Sequence, residues 1–282
     1  MSIRHVLGAG AAVLAALAVT APAFAQKAEA KGAVIAPVAD PVAAPEPDFN
    51  PTAEIDLGAF ETCMTVYDDW ALEDDEELDT AAIEAACSEA IRTEKGYERR
   101  AALNARAHLR WNDGRKEEAL KDYGTLIYLE PRNILNYQGR ASLYGELKQY
   151  DLARADIMTA LKIAPMNASL HNSMCWMLAL EGKELERALT YCNVAVGLTG
   201  NTNGFAIDSR GMVYLKMGKY DLALADYERA MSIAPRSSHF MYGRGVVLLR
   251  LGRTEEGRGL IDRAVATEPG IAKQYADYGV TP

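Results

Sequence analysis

From about residue 60 onward, small, apolar and turn-forming positions recur in one frame. Gly114-x4-Ala119-x3-Tyr123 leads to Pro131, and Tyr150-x2-Ala153-x3-Ile157-x2-Ala160 leads to Pro165. Gly218-x-Tyr220-x2-Ala223-x3-Tyr227-x2-Ala230 leads to Pro235, and Gly252-x4-Gly257-x3-Ile261-x2-Ala264 leads to Pro269. These prolines fall at intervals of 34, 70 and 34. Upstream of each stretch lies a second helical segment with a small residue: Ala107, Ala141, Gly211 or Gly245. The pattern predicts two helices per period that approach closely where small side chains meet, as Ala107 with Ala119 or Gly211 with Ala223. Tyr123, Ile157, Tyr227 and Ile261 fill the space beside each contact. Proline cannot continue a helix interior, so each one marks the turn into the next pair. No pair buries its apolar face alone, so stability has to come from stacked neighbours.

Two units depart from the frame. The stretch from His171 to Gly200 keeps Gly182 and Ala188 but inserts one residue between them. It carries Gly200 where the others have proline, which accounts for the doubled interval. It also places Cys175 at the small position and Cys192 at the filling position. The unit from Phe60 to about Thr93 is degenerate, although its segment Ala81–Ile91 around Cys87 matches that around Cys192. The reading is five clear units, one degenerate leading unit and a closing helix from Ile271 to Tyr278. A second regularity runs inside the array. Arg106, Arg140 and Arg210 precede the small residue, while Asp122, Asp156 and Asp226 precede the filling residue. Met174 and Tyr191 stand there in the cysteine-bearing unit. An ion pair between helices is therefore expected in three units, with a disulfide in its place in the fourth. The last unit keeps Arg244 but has Leu260. Scattered surface charge is the rival reading, since exposed pairs contribute only ~0–1 kcal/mol.

A 34-residue helix pair with these small, filling and proline positions resembles the tetratricopeptide repeat, from about Phe60 to the C terminus. The resemblance implies an all-α, right-handed solenoid over residues 59–282, whose first helices line a concave groove for a peptide or a partner's helix. Counted from the small residues, the groove set is Asn104, His108, Trp111, Gln138, Ser142, Asn172, Trp176, Asp208, Met212 and Tyr242. Amides that can bond a peptide backbone, beside two Trp and a Tyr as anchors, suit an extended peptide. Packing between repeats is the competing role for each of them, Trp176 included. The set lacks the Lys and Arg cluster by which some family members clamp a terminal carboxylate, so that specificity is not expected.

The N-terminal sequence adds a location. Arg4 and His5 precede an apolar run, and Ala23-Phe24-Ala25 offers small-x-small cleavage, so residues 1–25 read as a signal peptide, with a retained anchor as the alternative. Residues 26–58, rich in Ala and Pro without periodicity, read as a disordered tether. Export puts Cys63, Cys87, Cys175 and Cys192 in an oxidising space, where an even count favours disulfides. Three connectivities exist, and sequence proximity favours Cys63–Cys87 with Cys175–Cys192. A metal site is the weaker reading, because no C-x-x-C and no adjacent His accompany either pair.

Charge and chemistry narrow the function. The net charge of −9 becomes −10 if Arg4 leaves with the signal, and it argues against a nucleic-acid surface. Eight acids crowd into Asp68–Asp79. They read as a solvated loop, with calcium or a basic partner as alternatives, although the EF-hand glycine is missing. The usual catalytic signatures are absent, and Gly243-Arg244-Gly245 falls inside a repeat helix rather than a nucleotide loop. His108, His171 and His239 belong to different units. No cofactor or metal is expected. The sequence thus predicts a non-catalytic periplasmic or secreted scaffold or adaptor for a protein or peptide partner in the envelope, without a membrane span after cleavage. An accessory subunit of a secreted enzyme complex is the alternative.

Overall fold

The computed structural model describes residues 58–67 and 79–282. The predicted signal, nearly all of the tether, and the acidic run up to residue 78 lie outside the described residues. The regular structure among them is helical throughout. It comprises α1 (Ala59–Met64) with a 3₁₀ turn (Thr65–Tyr67), α2 (Thr80–Thr93), α3 (Gly96–Asn112), α4 (Lys116–Leu129), α5 (Ile134–Glu146) and α6 (Tyr150–Ile163). Then follow α7 (Ala168–Glu181), α8 (Leu185–Leu198), α9 (Gly204–Lys216), α10 (Tyr220–Ile233), α11 (Ser238–Arg250), α12 (Thr254–Thr267) and the short α13 (Ile271–Asp277). Each odd-numbered helix from α1 to α11 forms a hairpin with the even-numbered helix after it, giving six stacked pairs and a closing helix. Odd helices also touch the next odd helix, as α5 with α7, α7 with α9 and α9 with α11. No comparable contact joins successive even helices, so the odd helices line the inner face of an α-solenoid.

The small residues do what their spacing predicted. Ala107, Ala119, Ala153 and Ala223 are fully buried where paired helices cross. At the last crossing a Cβ added to Gly245 would lie 2.9 Å from the Gly257 carbonyl oxygen, so only glycine permits that approach. Gly243 has a different reason. A Cβ there would meet the buried Tyr227 ring at 2.3 Å, and Gly139 stands in the same relation to Tyr123 at 2.5 Å. The filling tyrosine of one unit is thus accommodated by a glycine in the next. Each clear hairpin turns through one left-handed residue: Gly114, Lys148, Gly182, Gly218 and Gly252, with φ of 78°, 58°, 73°, 71° and 78°. Where the proline ladder is broken, Gly200 and Asn201 turn the chain with φ of 58° and 59°. Side chains of Asn133, Asn167, Asn203 and Ser237 cap α5, α7, α9 and α11. Asp79, the last acid of the acidic run, likewise accepts the Ala82 N–H at the start of α2.

The ion pairs fall where the substitution pattern placed them, and the disulfides join the cysteines that sequence proximity favoured. The Arg106 guanidinium donates to both oxygens of Asp122 at 3.1 and 2.6 Å. Arg140 holds Asp156 at 2.7 and 2.7 Å, and Arg210 holds Asp226 at 2.8 and 2.7 Å. These three aspartates are buried. Tyr144 and Tyr214 lie beneath Arg140 and Arg210 at 5.8 and 6.0 Å. In the third clear unit, where the arginine and aspartate are missing, Cys175 and Cys192 are bonded, and Cys63 with Cys87 form the other disulfide. Each bond ties the first helix of a hairpin to the second. Arg244, lacking an acid at Leu260, reaches back instead to Glu228 on α10 at 3.1 Å.

Candidate binding groove

The groove divides into two unlike halves. Asn104, His108 and Trp111 share one face of α3, at helical spacing, and all three are part-exposed. The Tyr67 hydroxyl donates to Asn104 Oδ1 at 3.1 Å. His108 lies between Tyr67, edge-on at 6.1 Å, and Trp111, stacked at 6.2 Å. Burial lowers the His108 pKa, so its imidazole is neutral at neutral pH. Trp111 Nε1 donates to Glu146 on α5 at 3.1 Å, and Lys116 also holds that carboxylate at 2.6 Å. Beside these residues opens a cleft of ≈ 330 Å³, lined among others by Tyr67, Tyr97, Arg100, Asn104, Glu130 and Asn136. Asn136 is 2% exposed, and its Nδ2 has no hydrogen-bond partner among the described residues. Tyr97 is 70% exposed.

Further along, the predicted residues are committed to neighbours. Gln138 is buried and its Nε2 donates to Ser169 and Ser173 of α7 at 2.6 and 2.9 Å, which makes it a tie between repeats. Ser142 donates to the Gln138 carbonyl of its own helix at 3.1 Å. Asn172 keeps a buried Oδ1 without a partner among the described residues. An unmet buried acceptor of this kind costs about 1–3 kcal/mol.

The remaining four lie under the end of the chain. Met212 is 0% and Tyr242 1% exposed, so neither offers the groove surface expected of it. Both belong to a core shared with Ile271, Tyr275 and Val280, and Trp176 and Tyr278 pack against that core. Tyr275 packs at a tilt against Tyr242, with ring centroids 4.6 Å apart, and against His239 at 4.8 Å. Tyr278 meets Trp176 edge-on at 5.1 Å. Asp208 is buried with its carboxylate 3.2 Å from His239 Nδ1, and the Tyr275 hydroxyl donates to the His239 carbonyl at 2.8 Å. Counting from the small residues put these positions on the inner face. It missed that α13 returns over that face and covers them. The signal was present in the apolar spacing Ile271-x3-Tyr275-x2-Tyr278, which gives a short helix one aromatic side.

The groove's chemistry is that of contact. Among the described residues no group of three His, Cys, Asp or Glu side chains could hold a metal ion, and no helix is long and apolar enough to cross a membrane. The His239–Asp208 pair is sealed beneath Tyr275.

Stacked hairpins with small crossings, left-handed turns and an inner face of odd helices define a helical-repeat solenoid. Residues 101–133, 136–167 and 209–272 match family models of the tetratricopeptide repeat, so the chain carries tetratricopeptide repeats over those stretches. Human tetratricopeptide repeat protein 6 is 26% identical over 166 residues, which are 58% of this chain and 31% of that protein. Mouse tetratricopeptide repeat protein 34 is 32% identical over 93 residues, 31% of this chain and 17% of that protein. The chain therefore spans less than a third of either relative. A crystal structure of a tetratricopeptide repeat protein from Parabacteroides merdae superposes with a TM-score of 0.58 at 21% identity, covering 75% of this chain and 80% of that one. That likeness shows the fold alone.

Proposed function

We propose that this chain is a non-catalytic, exported scaffold that holds a peptide segment of an envelope protein in the N-terminal half of its groove. The observation that carries the reading is the part-exposed row Asn104, His108 and Trp111 beside a cleft with an unpartnered buried amide, Asn136. Amides suit the N–H and C=O groups of an extended peptide, and Trp111 with the exposed Tyr97 supplies flat apolar area at little entropic cost. Neutral His108 adds no charge, so the surface favours backbone and apolar contact over an acidic or basic tail. Export is supported by the signal-like residues 1–25 and by two disulfides, which persist in oxidising compartments.

The test is capture of partners from a periplasmic fraction by tagged full-length chain. Asn104→Ala with Trp111→Ala is expected to weaken capture about tenfold or more, as loss of an anchor does. Tyr128→Ala, 84% exposed on α4 and away from the groove set, serves as the control and should change nothing. Unchanged capture by the double variant would remove the groove from the function.

A further inference from the structure

The C-terminal half of the groove is already filled, and what fills it describes what it can bind. α13 lies across the inner-face residues of three earlier helices: Trp176 of α7, Asp208 and Met212 of α9, and His239 and Tyr242 of α11. Arg250 of α11 holds the tail by donating to the Thr281 carbonyl at 2.9 Å. The charge of Lys148, just past the end of α5, also acts on Asp277.

Several features make this occupant exchangeable. Seven residues are too few to hold a helix without the surface beneath them. Gly270 precedes α13 with no side-chain cap, leaving a pliable joint after Pro269. The fit is incomplete: Gln274 Oε1 of α13 is buried without a partner among the described residues. A sequence without that unmet buried acceptor would fit better.

We propose that this half of the groove is a helix-docking site held closed by α13, and that it fits a partner's short amphipathic helix with an apolar residue and two tyrosines at i, i+4 and i+7. Tyrosine is called for at the middle position because the Tyr275 hydroxyl donates to the His239 carbonyl at 2.8 Å and lies 3.2 Å from His239 Nδ1, two polar contacts that phenylalanine would forgo. A side chain that avoids the unmet buried acceptor of Gln274 gives the incoming helix its advantage over α13. The inference rests on the scaffold reading but concerns the opposite end of the groove.

The probe is a fluorescein-labelled synthetic peptide of residues 269–282, titrated into the full-length chain. Tyr278→Ala removes the contact with Trp176 and leaves Ile271 and Tyr275 in place. It should tighten peptide binding about tenfold or more by raising the open fraction. Adding Trp176→Ala should reverse that gain. On the unaltered chain, saturating peptide should speed amide exchange across 271–280 while α7, α9 and α11 stay protected, a readout that needs no variant to fold. Equal affinity for the wild-type and Tyr278→Ala chains would overturn the proposal, and so would binding without faster exchange in 271–280. If Tyr278→Ala dimerised and free peptide failed to compete, the occupant would be a second copy's α13 and not a partner's helix. Loss of partner capture in the Asn104 and Trp111 variants alongside a null peptide result would leave the scaffold reading standing and remove only this one.

Discussion

At the scale of single residues, the repeat frame exposes one position that breaks its own rule. Four of the five clear hairpin turns place glycine in the left-handed region, and the remaining turn forces Lys148 there at φ 58°. A side chain in that conformation costs roughly 1–2 kcal/mol through the Cβ and carbonyl crowding. Glycine relieves the clash but gives back part of the gain in unfolded-chain entropy. Lys148→Gly is therefore expected to stabilise the fold by about 0.5–1 kcal/mol, read as a higher urea midpoint at unchanged slope. A lower midpoint would mean that the Lys148 charge near Asp277 matters more than its backbone strain.

At the scale of helices and hairpins, the arginine–aspartate pairs decide how the two members of a unit hold together. Each is bidentate, with a buried aspartate, so it belongs with the stronger charge-assisted bonds rather than with surface pairs. A double-mutant cycle on Arg140→Ala and Asp156→Ala should give a coupling on the order of 1–2 kcal/mol in denaturant stability. Strict additivity would mean the pair is incidental. These pairs were legible in the sequence because three units keep both residues and the fourth loses both as Cys175 and Cys192 arrive. Substitution in pairs reports contact where single positions cannot. The disulfide partners were legible for a different reason: cysteines near in sequence fall in one hairpin, as both pairs do. The partner of Arg244 was not, because Glu228 belongs to the preceding repeat and the rule within a unit pointed to Leu260. The shared face of Asn104, His108 and Trp111 on α3 followed from helical spacing alone. The C-terminal half did not, since the burial of Met212 and Tyr242 depends on how far the stack curves and where α13 comes to lie. Period and spacing encode the neighbours of a residue along the array. They carry little about residues brought together across its inner face.

At the scale of the whole molecule, the groove's closed end is coupled to protons. His239 is covered by α13, and the groups acting on it are Asp208, Glu268 and the Tyr275 hydroxyl. Burial works against its charged form, yet the Asp208 carboxylate and the more distant Glu268 outweigh that and raise the pKa above the ordinary imidazole value. A raised native pKa means the folded chain binds the proton more tightly than the unfolded chain. The stabilisation is fully present below about pH 6.5 and is lost as pH climbs through the native value. His108 acts in the opposite sense: burial lowers its pKa, so its contribution is present above about pH 6.5 and lost on acidification. The bare pH profile of the protein mixes the two. The difference between wild type and His239→Gln isolates the first, and should show the wild-type advantage shrinking as pH rises above about 6.5. The matching difference for His108→Gln should grow unfavourable to wild type as pH falls below about 6.5. Because His239 sits beneath Tyr275, its deprotonation removes charge from the pair on which α13 rests. Relative to the intrinsic base-catalysed rate, the protection of amides 271–280 should therefore fall over the same pH range in the wild type and stay constant in Asp208→Asn. A wild-type advantage independent of pH would place the His239 proton outside the folding equilibrium, and with it any influence of pH on the groove's closed end.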